Sequence, residues 1–171
     1  MSGGFQPGDY VVYPTHGVGC VLASVEQEVA GCVTRFLVVE IPSEAMKIQI
    51  PEARIRKSGL RRLSTKAEMD KALAILSEPR GKGRAPWPQR ARHYEEKVKS
   101  GDPKILAEVL RDLNSDNPSS SVRRLYETAL ARLSGELALI RGIEVDAAAA
   151  LIEKPFSRRP KAAVEQDEAA D

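Results

Sequence analysis

Residues Arg80–Asp102 read RGKGRAPWPQRARHYEEKVKSGD. The stretch holds the single tryptophan of the chain, Trp87, between Pro86 and Pro88. Each proline fixes φ and removes a backbone donor, so this segment neither continues a helix nor enters a sheet. Pro88 suits the first helical position, which puts Trp87 near the N-cap. Ala91, Tyr94 and Val98 follow at three- and four-residue steps, the apolar stripe of a helix that ends at Ser100–Gly101. Arg80, Lys82, Arg84, Arg90, Arg92, Lys97, Lys99 and Lys104 surround the indole, opposed only by Glu95, Glu96 and Asp102. Two readings stay open. In one, Trp87 is a core residue that staples a loop to a helical domain, as most aromatics are buried where they can be. In the other it is an aromatic wedge that enters a base step while Arg and Lys hold the phosphates.

The period on both sides of this stretch is helical. Upstream, Thr65 and Glu68 fit a capping box ahead of Met69, Leu73 and Leu76. Downstream, Asp102 caps a helix whose first residue is Pro103, with Ile105, Leu106, Val109, Leu110 and Leu113 as its stripe. A polar loop, 114–120, leads to a long helix from Ser121 to Arg141, striped by Val122, Leu125, Ala129, Leu133, Leu137 and Ile140. A last, Ala-rich helix covers Glu144 to Lys154. Leu, Ile, Val and Ala in these stripes make a bundle core, not a cofactor box.

Before Arg54 the period is that of strands. Tyr10–Tyr13 is a short strand ended by Pro14. Val18 to Val29 alternates, with Val18, Cys20 and Leu22 on one face and Val21, Ala23 and Val25 on the other. Ala30–Gly31 predicts a hairpin to Thr34–Ile41, and Pro42–Ala45 a turn to Met46–Pro51. In that fourth strand Ile48 and Ile50 point inward, and Lys47, Gln49 and Pro51 outward. Pro51 confines it to an edge or a strand end, where a partner's strand can pair. Ala53 to Leu63 is a basic connector or short strand.

The chain has 171 residues, 42% hydrophobic, which is enough for a core or for two small ones. Its formal charge of +2 supplies no global field for nucleic acid; the bases are concentrated between Arg54 and Lys104 instead. Cys20 and Cys32 form no C-x-x-C pair, His16 and His93 lack ligand spacing, and no apolar run reaches membrane-spanning length. No metal, no cofactor and no membrane contact is therefore expected. Without a nucleophile beside a base, the residues point away from an enzyme. Met1–Pro7 lacks the features of a secretory leader, so a cytoplasmic protein is expected.

Laid out in order, certain motifs resemble the CarD/CdnL family of bacterial transcription regulators. They are Gly8–Pro14 with His16–Gly19, Lys47–Pro51, Gly59–Arg61, Trp87 with Arg90, Ser100–Asp102 and Ala107–Leu113. The resemblance runs from about Phe5 to Phe156. It implies an α+β chain: a small Tudor/SH3-like antiparallel β domain at 1–60 and a compact all-α domain at 61–156; the remaining 157–171, basic and then acidic with little to bury, is expected to be a disordered tail. The β domain would dock on the β subunit of RNA polymerase through Val39, Gln49 and Pro51. Gln49 stands where some members carry Arg or Met. The helical domain would touch promoter DNA at the upstream edge of the bubble through Trp87, Arg90, Arg92 and Arg123. Pro88 and Ala91 depart from the commoner Trp-x-Arg-Arg-Tyr pattern. The implied outcome is a more stable open complex, often at ribosomal RNA promoters, with the protein acting as a monomer beside polymerase on the nucleoid. The alternative is a polymerase-binding adaptor with no DNA contact, in which Trp87 is core.

Overall fold

The computed structural model describes residues 4–81 and 83–158. Most of the expected tail, from residue 159 onward, lies outside them; Ser157 and Arg158 belong to a single 3-10 turn, Phe156–Arg158. The chain divides into two compact units between Leu63 and Ser64.

The first unit is a five-stranded antiparallel sheet. Its strands are β1 (Tyr10–Tyr13), β2 (Gly17–Val29), β3 (Cys32–Ile41), β4 (Met46–Pro51) and β5 (Arg61–Arg62), in the order β4-β3-β2-β1-β5. Arg61 and Arg62 pair with Val12 and Val11, so the end of the connector joins the sheet as β5 and the first unit runs to Leu63, three residues past the expected boundary at 60. Between β4 and β5 the chain makes a 3-10 turn, Glu52–Arg54, and a four-residue helix, α1 (Ile55–Ser58). Ala30 and Gly31 both take positive φ, 53° and 80°, as a two-residue hairpin of matching twist requires.

One face of the sheet buries Val11, Val21, Leu37, Val39, Ile41 and Ile50, closed by Leu60. The simple alternation predicted for β2 is broken. Val21 pairs with Val39 but Ala23 pairs with Val38, so Leu22 is an extra residue that bulges out. Beyond it Ala23 and Val25 lie with Val38 and Phe36 on the outer face, not with Val21 on the core face. In the β1–β2 pairing Gly17 and Gly19 stand opposite Tyr13 and Val11.

The second unit is all helical: α2 (Lys66–Ile75), α3 (Trp87–Ser100), α4 (Pro103–Leu113), α5 (Ser120–Arg141) and α6 (Val145–Glu153). The Thr65–Glu68 capping box is present in both directions, and Asp102 accepts from the amides of Lys104 and Ile105 at the start of α4. α4 is the centre of the unit. Leu106, Ala107, Val109, Leu110 and Leu113 are buried, and it packs against α2, α3 and α5. Glu136, 1% exposed on α5, accepts from the Ser64 amide at 2.8 Å, which fixes where the helical unit begins. Among the described residues no helix is long and apolar enough to cross a membrane.

A Cβ on Gly19 would lie 2.7 Å from Ile41 Cδ1, 2.7 Å from Val39 Cγ1 and 2.8 Å from the Glu40 carbonyl oxygen. Gly19→Ala should therefore destabilise the β unit by about 1–3 kcal/mol through overpacking. Amide hydrogen exchange at Val11, Val21 and Val39 should accelerate accordingly; unchanged protection would show that the sheet yields without strain.

Candidate functional site

The indole of Trp87 is held at the meeting of two helix starts. Pro86 is the N-cap of α3, so Trp87 takes the first helical position and Pro88 the second, one place later than predicted. The ring is half-buried and packs against the edge of the helical core. It is neither sealed inside nor free in solvent. Its Nε1 donates to Ser121 Oγ at 3.2 Å, and Ser121 sits in the first turn of α5, whose N-cap is Ser119. Tyr94, one side of the stripe, lies with its ring centroid 6.5 Å from the indole. The Arg90 guanidinium carbon lies 5.7 Å from the indole centroid, within cation–π range.

The four residues expected to meet DNA are not equivalent. Trp87 and Arg90 share one face of α3 and touch. Arg123 is exposed two residues beyond Ser121, on the turn of α5 that holds the indole. Arg92 is exposed but, at roughly 100° per residue, is turned about 140° around α3 from Trp87. The structure brings Trp87 and Arg90 together; Arg123 shares the first turn of α5 with Ser121 but, two residues on, is turned roughly 160° around that helix from it, and Arg92 lies on another face of α3.

On the β unit, β4 is an edge strand, paired only with β3. Gln49 is exposed and lies opposite Val38; Pro51 is half-buried and lies opposite Phe36. Gln27 Nε2 reaches from β2 to Gln49 Oε1 at 3.3 Å. Val39 departs from its expected role. It is 0% exposed and packs with Val21, Leu37 and Ile41, because it alternates with Val38 and points into the core. Its side chain offers no contact to a partner; the outward neighbour of Gln49 is Val38.

Sequence reasoning missed Ser121, Val38 and the stacking role of Tyr94. Residues 114–120 read as a polar loop before a helix from Ser121, and nothing in spacing links position 87 to 121. Val38 was hidden by one residue of register, which only pairing with Gln49 resolves.

Two family models together span most of the chain. "CarD-like/TRCF RID domain" matches residues 5–64 and "CarD, C-terminal domain" matches residues 71–153, in the order of the two units. The chain belongs to the CarD family. A CarD-family relative, YdeB of Bacillus subtilis (strain 168), named as a candidate transcription factor, is 29% identical over 143 residues, 81% of this chain and 94% of that one. The solution structure of the 72-residue N-terminal domain of Myxococcus xanthus CarD is 33% identical and covers 34% of this chain and 77% of its own, with a TM-score of 0.30. CarD-family proteins of this kind are transcription regulators and not enzymes.

In this CarD-family chain the Ser121 hydroxyl fixes the polar edge of the indole. Ser121→Ala should cost less than about 1.5 kcal/mol of stability, since water can replace the lost acceptor. It should also raise acrylamide quenching of Trp87 fluorescence. Identical quenching in the variant would show that the bond does not hold the ring.

Proposed function

We propose that this protein docks on the β subunit of RNA polymerase through the outer face and free edge of β4, and contacts promoter DNA through Trp87, Arg90 and Arg123. The contact lies at the upstream edge of the bubble and stabilises the open complex at ribosomal RNA and other housekeeping promoters. The observation that carries the reading is the half-buried indole, braced by Ser121 and Tyr94 and topped by Arg90. A braced ring loses little freedom on insertion at an unstacked base step, and an adjacent guanidinium supplies a phosphate contact. Arg92 adds charge from a second face of α3.

Such a patch alone binds DNA weakly and without sequence preference. Docking of the β unit raises its effective concentration at the promoter, so weak contact suffices. The matched N-terminal family, which includes the TRCF RID, supports polymerase as the partner. Gln49 and Pro51, beside Val38 and Phe36, form the docking strip. The protein then acts as a monomer in the cytoplasm, carried to the nucleoid by polymerase.

Activation requires tighter binding to melted than to closed promoter DNA; a difference of about 1.4 kcal/mol changes their ratio tenfold. Trp87→Ala should shorten open-complex lifetime by about that factor while leaving polymerase capture intact. An unchanged lifetime would favour the second reading, an adaptor without DNA contact, in which the core-side packing of the ring is its whole role.

On the β unit, Val38→Asp and Pro51→Ala should each weaken capture of the β subunit with circular dichroism unchanged. Val39→Ala should instead lower stability by about 0.5–2 kcal/mol, as a buried truncation does. Wild-type capture by both outer-face variants would remove this strip from the interface.

A further inference from the structure

A cavity of about 460 Å³ opens beside α3, lined by the preceding loop, the helix itself and Asp112 of α4; of the residues proposed above to contact DNA it shares only Arg90. Gly83 and Arg84 wall it from the preceding loop; Gln89, Arg90, His93 and Tyr94 wall it from the helix. Its charge is set by which ions are already paired. Asp112 also lines it; its Oδ1 accepts from Arg111 Nε at 2.8 Å and from the Gly81 amide at 2.9 Å, which fastens the loop to α4 and pairs the carboxylate with a guanidinium. Lys97 is paired with Glu108 at 3.0 Å. Among the described residues Arg84 and Arg90 form no ion pair, so two guanidinium groups face the cavity uncompensated.

Arg90 is also unsatisfied. Its Nε is buried and has no hydrogen-bond partner among the described residues. A buried donor left without an acceptor is unfavourable, the more so on a charged group. The loop is shaped around this side chain: a Cβ on Gly83 would lie 2.8 Å from Arg90 Nε and 3.2 Å from its Cδ. The volume is several times that of a bare phosphate and within the range of small-molecule sites. Tyr94 and His93, with ring centroids 6.2 Å apart, add an aromatic wall.

We infer that this cavity binds a phosphorylated small molecule of nucleotide size, its phosphates on Arg84 and Arg90 and its planar group near Tyr94 and His93. Charge-assisted bonds to the ligand would draw the Arg90 guanidinium toward the cavity and supply the acceptor its Nε lacks. The same group lies over Trp87, so occupancy would change the cation that accompanies the indole. Only this regulatory consequence rests on the DNA reading; the ligand site itself does not.

The test uses the full chain with no DNA and no polymerase. ATP and inorganic pyrophosphate are titrated by calorimetry at matched ionic strength, and pyrophosphate also by Trp87 fluorescence. Expected are saturable one-site binding, tighter for ATP, and a loss of about tenfold or more in both Arg84→Gln and Gly83→Ala, as removal of a charge-assisted bond implies. Lys71→Gln, an exposed base on α2, should bind as wild type. Three results would overturn the proposal: no saturable binding of either probe, undiminished binding in both cavity variants, or a loss as large in Lys71→Gln. Equal affinities for ATP and pyrophosphate would overturn the nucleotide-sized ligand and its aromatic wall. Occupancy by a DNA oligonucleotide but by neither small probe would make the cavity a backbone contact instead. The DNA reading fails separately, on Trp87→Ala and open-complex lifetime.

Discussion

A tryptophan that is to act on a partner must be rigid without being consumed by its own core. Trp87 meets that constraint because two helix starts share it. Pro86 and Pro88 set its backbone, Ser121 takes its one polar hydrogen, and Tyr94 supports its ring. Each contact removes a way for the indole to collapse inward or swing freely. The remaining face is left next to a cation. The helical bundle beneath, centred on α4, serves to hold α3 and α5 at that fixed separation.

The β unit solves a different problem with a different device. Its core is small, so nearly every apolar residue of alternate parity is committed to it. The outer face carries what is left: Val38, Phe36 and Pro51 around Gln49. Apolar surface beside a free strand edge is where a partner can add both backbone pairing and side-chain contact. The net charge of +2 hides a division of labour, since the bases cluster around Trp87 and not on this face.

Much of the architecture could be read from local chemistry. The caps at Thr65 and Asp102, the helix end at Ser100–Gly101 and the stripe through Tyr94 and Val98 are local, and they stand as predicted. The strand boundaries at Tyr13 and Pro51 follow from proline chemistry and also stand. Four features were not legible. The bulge at Leu22 leaves no mark in residue type. Val39 and Val38 are chemically identical, and only pairing tells which one faces out. The bond from Trp87 to Ser121 crosses 34 positions and depends on how α3 packs against α5. The carboxylate–guanidinium pairing that leaves Arg84 and Arg90 uncompensated is likewise a property of the packed bundle.

Leu22 also bears on how this chain tolerates change. One surplus residue reverses the parity of everything after it in β2, so the strand contributes to the core up to Val21 and to the outer face from Ala23. Loss of any single residue between Gly17 and Val25 would restore plain alternation and exchange those assignments. Length in this strand is thus as constrained as composition, and insertions and deletions there should be far less forgiving than substitutions.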